Sequence, residues 1–313
     1  MKYESNEICI LKTLKLSMNS KISLIIPVFN ECGEIENFFN DLNKLNLEIT
    51  NEVIFINDCS TDNSYDLLQK KINDFKNSYK NLNLLLLNNL KNRGYGFSIK
   101  RGVCNSKNDN IAIIDLDRSY KIEDLNNISN EFVDNNNHKY DLIIGQRKID
   151  IINTSRLKII GKSIINLIAN FCFNEKILDY NSGLRVFKKD KFIKHMHMMS
   201  NRFSLTTSMT ITFLNENYDI KFTKIKYDKR SGNSKLGFLD FFKFLYTIFS
   251  LLFYYKPFKI ILPLFVPLFL AFVFFLIKDI NSNDITDKTV LLFNFNFLTL
   301  ILLFIVDRIN KLK

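Results

Sequence analysis

The 313-residue chain has no tryptophan, which removes every signature built on that residue, QxxRW among them. Its five cysteines (Cys9, Cys32, Cys59, Cys104, Cys172) are odd in number and never spaced CxxC. That excludes a paired disulfide framework and a cysteine zinc site, and is read as reduced, buried thiols. Of three histidines, His195 and His197 stand two apart and are expected at the surface rather than on a metal. No zinc-finger or RNP-like motif accompanies the scattered Lys and Arg, so nucleic acid is not an expected partner. The first twenty residues mix Glu4, Glu7, Lys12 and Lys15 with apolar residues. They are not read as a signal peptide, because no long apolar run or small-residue cleavage site is present. No internal repeat is found.

Charge is absent from two segments near the C-terminal end, Ile260 to Ile277 and Thr289 to Val306. Each is about long enough to cross a hydrocarbon core of ~30 Å. The chain as a whole carries a net charge of +11, from 43 Lys and Arg against 32 Asp and Glu. That excess suits an anionic leaflet or phosphorylated ligands. Lys256 and Lys259 precede the first segment, Arg308, Lys311 and Lys313 follow the second, and only acids are charged in the 279–287 loop. Positive-inside bias then puts both termini in the cytoplasm. The stretch Phe238–Tyr255 is apolar but carries Asp240 and Lys243 near its start. It is read as an amphipathic helix lying in the interface, with a third span as the alternative.

The body alternates short apolar runs with helical periodicity. Runs at 21–28, 52–56, 82–87, 111–114 and 142–144 predict strands. Ile35, Phe38, Phe39, Leu42 and Leu45, then Leu67, Leu68, Ile72 and Phe75, then Ile122, Leu125, Ile128 and Phe132, predict helices between them. Continuous rather than alternating apolar runs mean strands buried on both faces. The expected fold is α/β, a mostly parallel open sheet covered by helices, with ligands at the carboxyl ends of the strands.

The polar motifs stand at those ends. Strand one is followed by Pro27-Val28-Phe29-Asn30-Glu31, strand two by Asn57-Asp58-Cys59-Ser60-Thr61-Asp62, and strand three by Asn92-Arg93-Gly94-Tyr95-Gly96. The second also reads as a turn with a helix cap, and the third as a glycine turn whose amides could face a phosphate. Strand four ends in Asp115-Leu116-Asp117. Carboxylates at i and i+2 of an extended chain share a side and can hold Mg²⁺ or Mn²⁺, leaving positions for phosphate oxygens and water. Gly145-Gln146-Arg147 offers a guanidinium fork suited to phosphate. Asp179-Tyr180-Asn181-Ser182-Gly183-Leu184-Arg185 and Lys229-Arg230-Ser231-Gly232-Asn233-Ser234-Lys235-Leu236 complete the series.

Taken in order, these motifs resemble the family 2 glycosyltransferases, and within them the dolichyl- and polyprenyl-phosphate sugar synthases. The resemblance covers about two thirds of the chain, from Pro27 to Leu236, and implies a GT-A-like fold. It implies that Pro27, Phe29, Glu31 and Asp58 hold the nucleoside, and that Asp115 and Asp117 bind the sugar nucleotide and its Mg²⁺ or Mn²⁺. Arg147, Arg230 and Lys235 would contact phosphates. Asp117, Arg230 and Lys235 would be the catalytic residues. Ser119 stands where mannosyltransferase relatives place a metal-binding Gln, so it joins Asp115 and Asp117 as a metal candidate. Arg147, Arg156 and Lys158 are the candidate acceptor-phosphate site.

The implied organisation is an N-terminal extension (1–20), a cytosolic transferase domain (21–235), an interfacial helix (236–257) and two membrane helices (258–313). The implied reaction is inverting transfer of a sugar from a nucleotide-sugar to polyprenyl phosphate at the bilayer. The spans also offer a surface for self-association of the chain. The alternatives are a transferase with a saccharide or glycolipid acceptor, and an inactive membrane scaffold on the same fold.

Overall fold

In the computed structural model, residues 21–79, 81–134, 140–147, 179, 181–227 and 238–311 are described. They fall into two compact units that divide between Phe244 and Leu245.

The first unit is built on a seven-stranded sheet. Its strands are β1 (Ile22–Val28), β2 (Thr50–Asn57), β3 (Asn83–Asn88), β4 (Asn110–Ile113), β5 (Leu142–Arg147), β6 (Arg185–Lys188) and β7 (Ile220–Ile225), in the order β3-β2-β1-β4-β6-β5-β7. All neighbours are parallel except β6, which runs antiparallel to both β4 and β5. The expected mostly parallel sheet is therefore present, with one reversed strand inserted near its middle. β6 and β7 lie beyond the five strands expected from the apolar runs.

Helices cover both faces because the strands are apolar on both. Leu24, Ile26 and Phe55 pack under α1 (Cys32–Leu42), α2 (Ser64–Ser78) and α4 (Ile122–Asp134). There Phe39 stacks on Phe55 at 5.3 Å between centroids. Ile25, Ile54 and Ile113 pack on the other face under α3 (Tyr95–Asn105), α5 (Lys189–His195) and α6 (Leu205–Asn215). Each fully buried Ile or Phe contributes roughly 1.5–3 kcal/mol of transfer free energy, so the two-sided core fixes the sheet.

The order also creates a crevice. β1 pairs with β4 only from Ile22 to Ile25, whereas it follows β2 through to Val28. The chain leaves β1 for β2 on one side and returns to β4 on the other. At such a switch point the loops diverge and leave a cleft at the strands' carboxyl ends.

Two expectations are corrected here. His195 is buried, not superficial, and its Nε2 lies 2.9 Å from the Tyr218 hydroxyl. Burial holds its pKa below the ordinary value. The described cysteines, Cys32, Cys59 and Cys104, are half-buried rather than buried.

The remaining helices are α7 (Phe238–Tyr255), α8 (Pro257–Ser282) and α9 (Asp287–Lys311). α8 and α9 are long and apolar enough to cross a membrane. They enclose the two uncharged segments, and α8 runs on to Ser282, so the connecting turn is shorter than the expected 279–287 loop. Asp279 organises that turn. Its Oδ2 accepts hydrogen bonds from Thr286 N at 2.7 Å and from the hydroxyls of Thr286 and Thr289 at 2.8 and 2.6 Å. Asn283, left-handed at φ 50°, ends the helix. Within the pair, Asn296 Nδ2 donates to Leu268 O at 3.3 Å. In α7, Ile248, Leu251 and Leu252 are buried while Phe242, Lys243, Tyr246 and Phe249 are exposed.

Candidate active site

Three of the predicted loops interlock at the carboxyl ends of β1, β2 and β3. Asn30 Oδ1 accepts Thr61 N–H at 2.8 Å, and the Ser60 and Ser64 hydroxyls accept Asn30 and Glu31 N–H at 3.1 and 3.0 Å. Asp62 accepts from Ser64 N at 3.0 Å and Cys32 N at 3.2 Å, so the turn half of this motif's reading is realised, while the N-cap of α2, Asn63, makes no side-chain capping bond. Non-glycine residues with positive φ recur at these ends: Asn30 (53°) after β1, Cys59 (58°) after β2 and Arg118 (58°) after β4. Such conformations cost of order 1–3 kcal/mol each and collect where a site is being shaped.

Asp58 is buried, and its carboxylate accepts Asn89 Nδ2 and Gly94 N at 2.7 Å and Arg93 N at 2.9 Å. The amides ahead of α3, a candidate phosphate nest in the sequence, therefore bind this carboxylate. The two glycines have a second task. Gly94 adopts φ +97°, and a Cβ there would lie 2.9 Å from Asn201 O; at Gly96 it would lie 2.8 Å from Asn201 C and 2.9 Å from Arg202 O. The missing side chains let the turn before α6 dock on the start of α3, with Phe97 N donating to Asn201 O at 2.9 Å.

Beyond β4, Asp115 and Asp117 enter the crevice. Asp117 Oδ1 accepts both the Ser119 hydroxyl at 2.5 Å and Ser119 N at 3.1 Å. Ser119 thus orients Asp117. Asp115 faces Gly183, where an added Cβ would come within 2.9 Å of its Cγ. Gly183 N donates to the Tyr120 hydroxyl at 2.7 Å. Tyr120 is buried and Tyr95 half-buried with its hydroxyl enclosed, both beside Asp115; desolvation, reinforced by that carboxylate, raises both phenols. Arg185, fully buried on β6, donates to Ser182 O at 2.7 Å and Thr210 Oγ1 at 2.8 Å. Burial lowers its pKa to about 10.

Arg147 is paired. Its Nε and Nη2 donate to Asp179 Oδ2 and Oδ1 at 2.8 and 2.9 Å, and its guanidinium lies 5.2 Å from the Tyr227 ring centre. Burial opposes both charges, but the fork outweighs it: the guanidinium pKa is raised and the Asp179 carboxyl lowered.

A cavity of about 310 Å³ opens over these groups, lined by Pro27, Phe29, Glu31, Asp58, Asp115 and Asp117 among others. Six sequence-derived candidates thus share one wall. Arg147 and Ser119 do not line it. Arg156, Lys158, Arg230 and Lys235 lie outside the described residues. Arg202 and Phe203 do line it and went unrecognised, because Asn201-Arg202-Phe203 matches no expected spacing. Among the described residues no group of three or more His, Cys, Asp or Glu is placed to hold a metal. Asp115 and Asp117 are two hard oxygen donors on one open wall, a set that suits an Mg²⁺-like ion completed by phosphate oxygens and water.

The sequence and the fold both have relatives. The model of glycosyl transferase family 2 matches residues 23–196. Dolichyl-phosphate beta-glucosyltransferase of Dictyostelium discoideum is 28% identical over 199 residues, 61% of this chain and 55% of that protein. The chain therefore spans about half the length of this curated relative. Glucosyl-3-phosphoglycerate synthase from Mycobacterium tuberculosis, in complex with phosphoglyceric acid, superimposes with a TM-score of 0.57 at 13% identity, covering 79% of this chain and 83% of that one. The same enzyme with Mn²⁺, uridine diphosphate and glucosyl-3-phosphoglycerate gives 0.56 at 12%, with the same coverage. At such identities the likeness shows the GT-A-like fold alone.

Proposed function

The chain belongs to glycosyl transferase family 2, and from that premise we propose that it moves a sugar from a nucleotide-sugar to a polyprenyl phosphate at a membrane surface, with inversion. The observation that carries this reading is the placement of Asp115 and Asp117 on the wall of the 310 Å³ cavity. The named activity of the Dictyostelium relative and the two long apolar helices support the lipid acceptor.

The residues suit the chemistry. An alcohol acceptor needs a general base, whereas a phosphate monoester is already ionised at neutral pH. Of the cavity's carboxylates, Asp58 is engaged by backbone amides and Asp117 by Ser119. In the proposed step an acceptor phosphate oxygen attacks the anomeric carbon. The bond from that carbon to the nucleoside diphosphate breaks, and its electron pair leaves with the diphosphate. A divalent ion held by Asp115 and Asp117 would supply charge neutralisation for the diphosphate. Pro27 and Phe29 would bound the nucleoside, and Ser119, Gly183 and Tyr120 keep the two carboxylates in place. Positioning and electrostatics then carry the rate. Arg147 and the 229–235 cations remain candidates for phosphate contact.

In the same reading α8 and α9 span the bilayer, α7 lies in the interface, and both chain ends are cytoplasmic, where the donor is soluble. The test supplies radiolabelled nucleotide-sugars and a polyprenyl phosphate to the membrane-embedded chain. Label is expected in an organic-extractable, mild-acid-labile product. EDTA or Asp117→Asn should cut its formation by about 10²-fold or more while the protein stays folded. Transfer to a soluble saccharide, with none to lipid across a broad donor panel, would reject the lipid acceptor.

A further inference from the structure

Arg202 is the single Lys or Arg among the described residues that line the cavity, whose charged lining is otherwise Glu31, Asp58, Asp115 and Asp117. A guanidinium near four carboxylates would be expected to pair with one of them. Among the described residues Arg202 forms no ion pair, and its hydrogen bonds run through its backbone: its N donates to Ser200 Oγ at 3.1 Å and its O accepts from Leu205 N.

The turn that carries it is held on several sides. Lys100 Nζ donates to Met199 O at 2.6 Å and to Asn201 Oδ1 at 2.7 Å. Ser200 N donates to Ser208 Oγ at 3.0 Å, and Leu205 N to Arg202 O at 3.2 Å. Gly94 and Gly96 admit the turn's backbone, and a Cβ at Gly94 would stand 2.8 Å from Arg202 Cδ. The stem of Arg202 therefore runs along Gly94, a residue of the cavity wall. Phe203 stands next to it, 41% exposed, with its ring 6.4 Å from that of Tyr95.

We propose that Arg202 is a phosphate-binding residue of the cavity, presented on the rim by the Gly94/Gly96 cradle. A guanidinium on the rim of a carboxylate-lined site provides the counter-charge that a metal-chelated phosphate still lacks, and its fork matches phosphate oxygens. The phosphoryl group comes either from the donor's diphosphate or from the acceptor's monophosphate. The proposal rests on the transferase reading above.

Calorimetric titration of the 313-residue chain in detergent with UDP, GDP, CDP and dTDP, each with Mn²⁺, separates the cases. The parent is compared with Arg202→Gln and Arg202→Lys, with thermal unfolding as the check on folding. A tenfold or greater loss of nucleotide affinity in Arg202→Gln, partly restored in Arg202→Lys, assigns Arg202 to the donor diphosphate. Unchanged nucleotide affinity with a tenfold rise in the apparent KM for polyprenyl phosphate assigns it to the acceptor. If both quantities stay within twofold of the parent in a folded Arg202→Gln, the proposal is overturned while the transferase reading stands. A parent that binds none of the four nucleotides removes that reading, and the proposal with it.

Discussion

Gly183→Ala is expected to disable the site without disturbing the nucleotide end of the cavity. The backbone at Gly183 is not left-handed, so the added methyl meets no φ penalty and acts by overlap alone. It would stand 2.9 Å from Asp115 Cγ and 3.1 Å from Oδ1, and closer still to Oδ2, where ordinary contact begins at 3.4 Å. The buried ring of Tyr120 and the half-buried ring of Tyr95 lie beside Asp115, so it can yield only toward the cavity and away from its present position. Either the carboxylate or the 181–184 turn must shift by roughly 0.5–1 Å, a displacement that can cost on the order of 10²-fold in rate. Overpacking of this size destabilises by about 1–3 kcal/mol, which leaves most domains folded. Steady-state transfer at varied Mn²⁺ and donor would show kcat down by about 10–100-fold and a weakened metal dependence, with nucleoside diphosphate binding in the absence of metal preserved. A folded Gly183→Ala chain with parental kcat and parental Mn²⁺ dependence would refute the idea that this glycine exists to admit Asp115.

Asp179→Asn should cost on the order of 3 kcal/mol, because it leaves the largely buried Arg147 guanidinium without its charge partner; chemical denaturation at pH 7 measures it. The Asp179 carboxyl is held below its ordinary 3.8, so its contribution is complete above that value and is lost as pH falls through the lower folded value. The parent should therefore lose stability more steeply than Asp179→Asn over that acid range, and parallel curves would dismiss the pair as a source of acid sensitivity. For topology, a cysteine at Asp284 should react with an impermeant thiol reagent from outside the membrane, above the labelling of the parent. One at Leu312 should react only after permeabilisation; equal labelling of both from outside would defeat the two-span reading.

The first five strands and three of the helices between them were legible because their signals are local: Ile-rich runs of strand length and apolar residues at helical spacing. β6 was not. It has four residues, begins with a charged Arg185 that is fully buried, and takes its strand identity from β4 and β5 on either side. Motif residues were visible, but their division of labour was not. Asp58 shows no sign in the sequence that it will bind the amides of Arg93 and Gly94, nor Ser119 that it will hydrogen-bond Asp117. Gly94 and Gly96 suggested a phosphate turn, whereas their close approach to 200–202 is a contact across about a hundred residues. Arg202 reaches the cavity through that same long-range contact, which a linear pattern does not encode.

The strand order also sets a timetable for assembly. As the chain lengthens, β1 to β4 can pair with one another as soon as β4 is available, leaving β4 as an open edge. β5 follows, yet neither of its partners exists until Arg185–Lys188 and Ile220–Ile225 have been made. Until then Leu142, Ile143 and Ile144 have no sheet to join, and Asp115 lacks the Gly183 wall that abuts it. Late-forming pairings of this kind carry the loop-closure cost before any contact repays it. The half-chain ending near Ile144 is thus the species most exposed to mispairing at a strand edge. Completion of the cavity wall around Asp115 is thus one of the last events in folding.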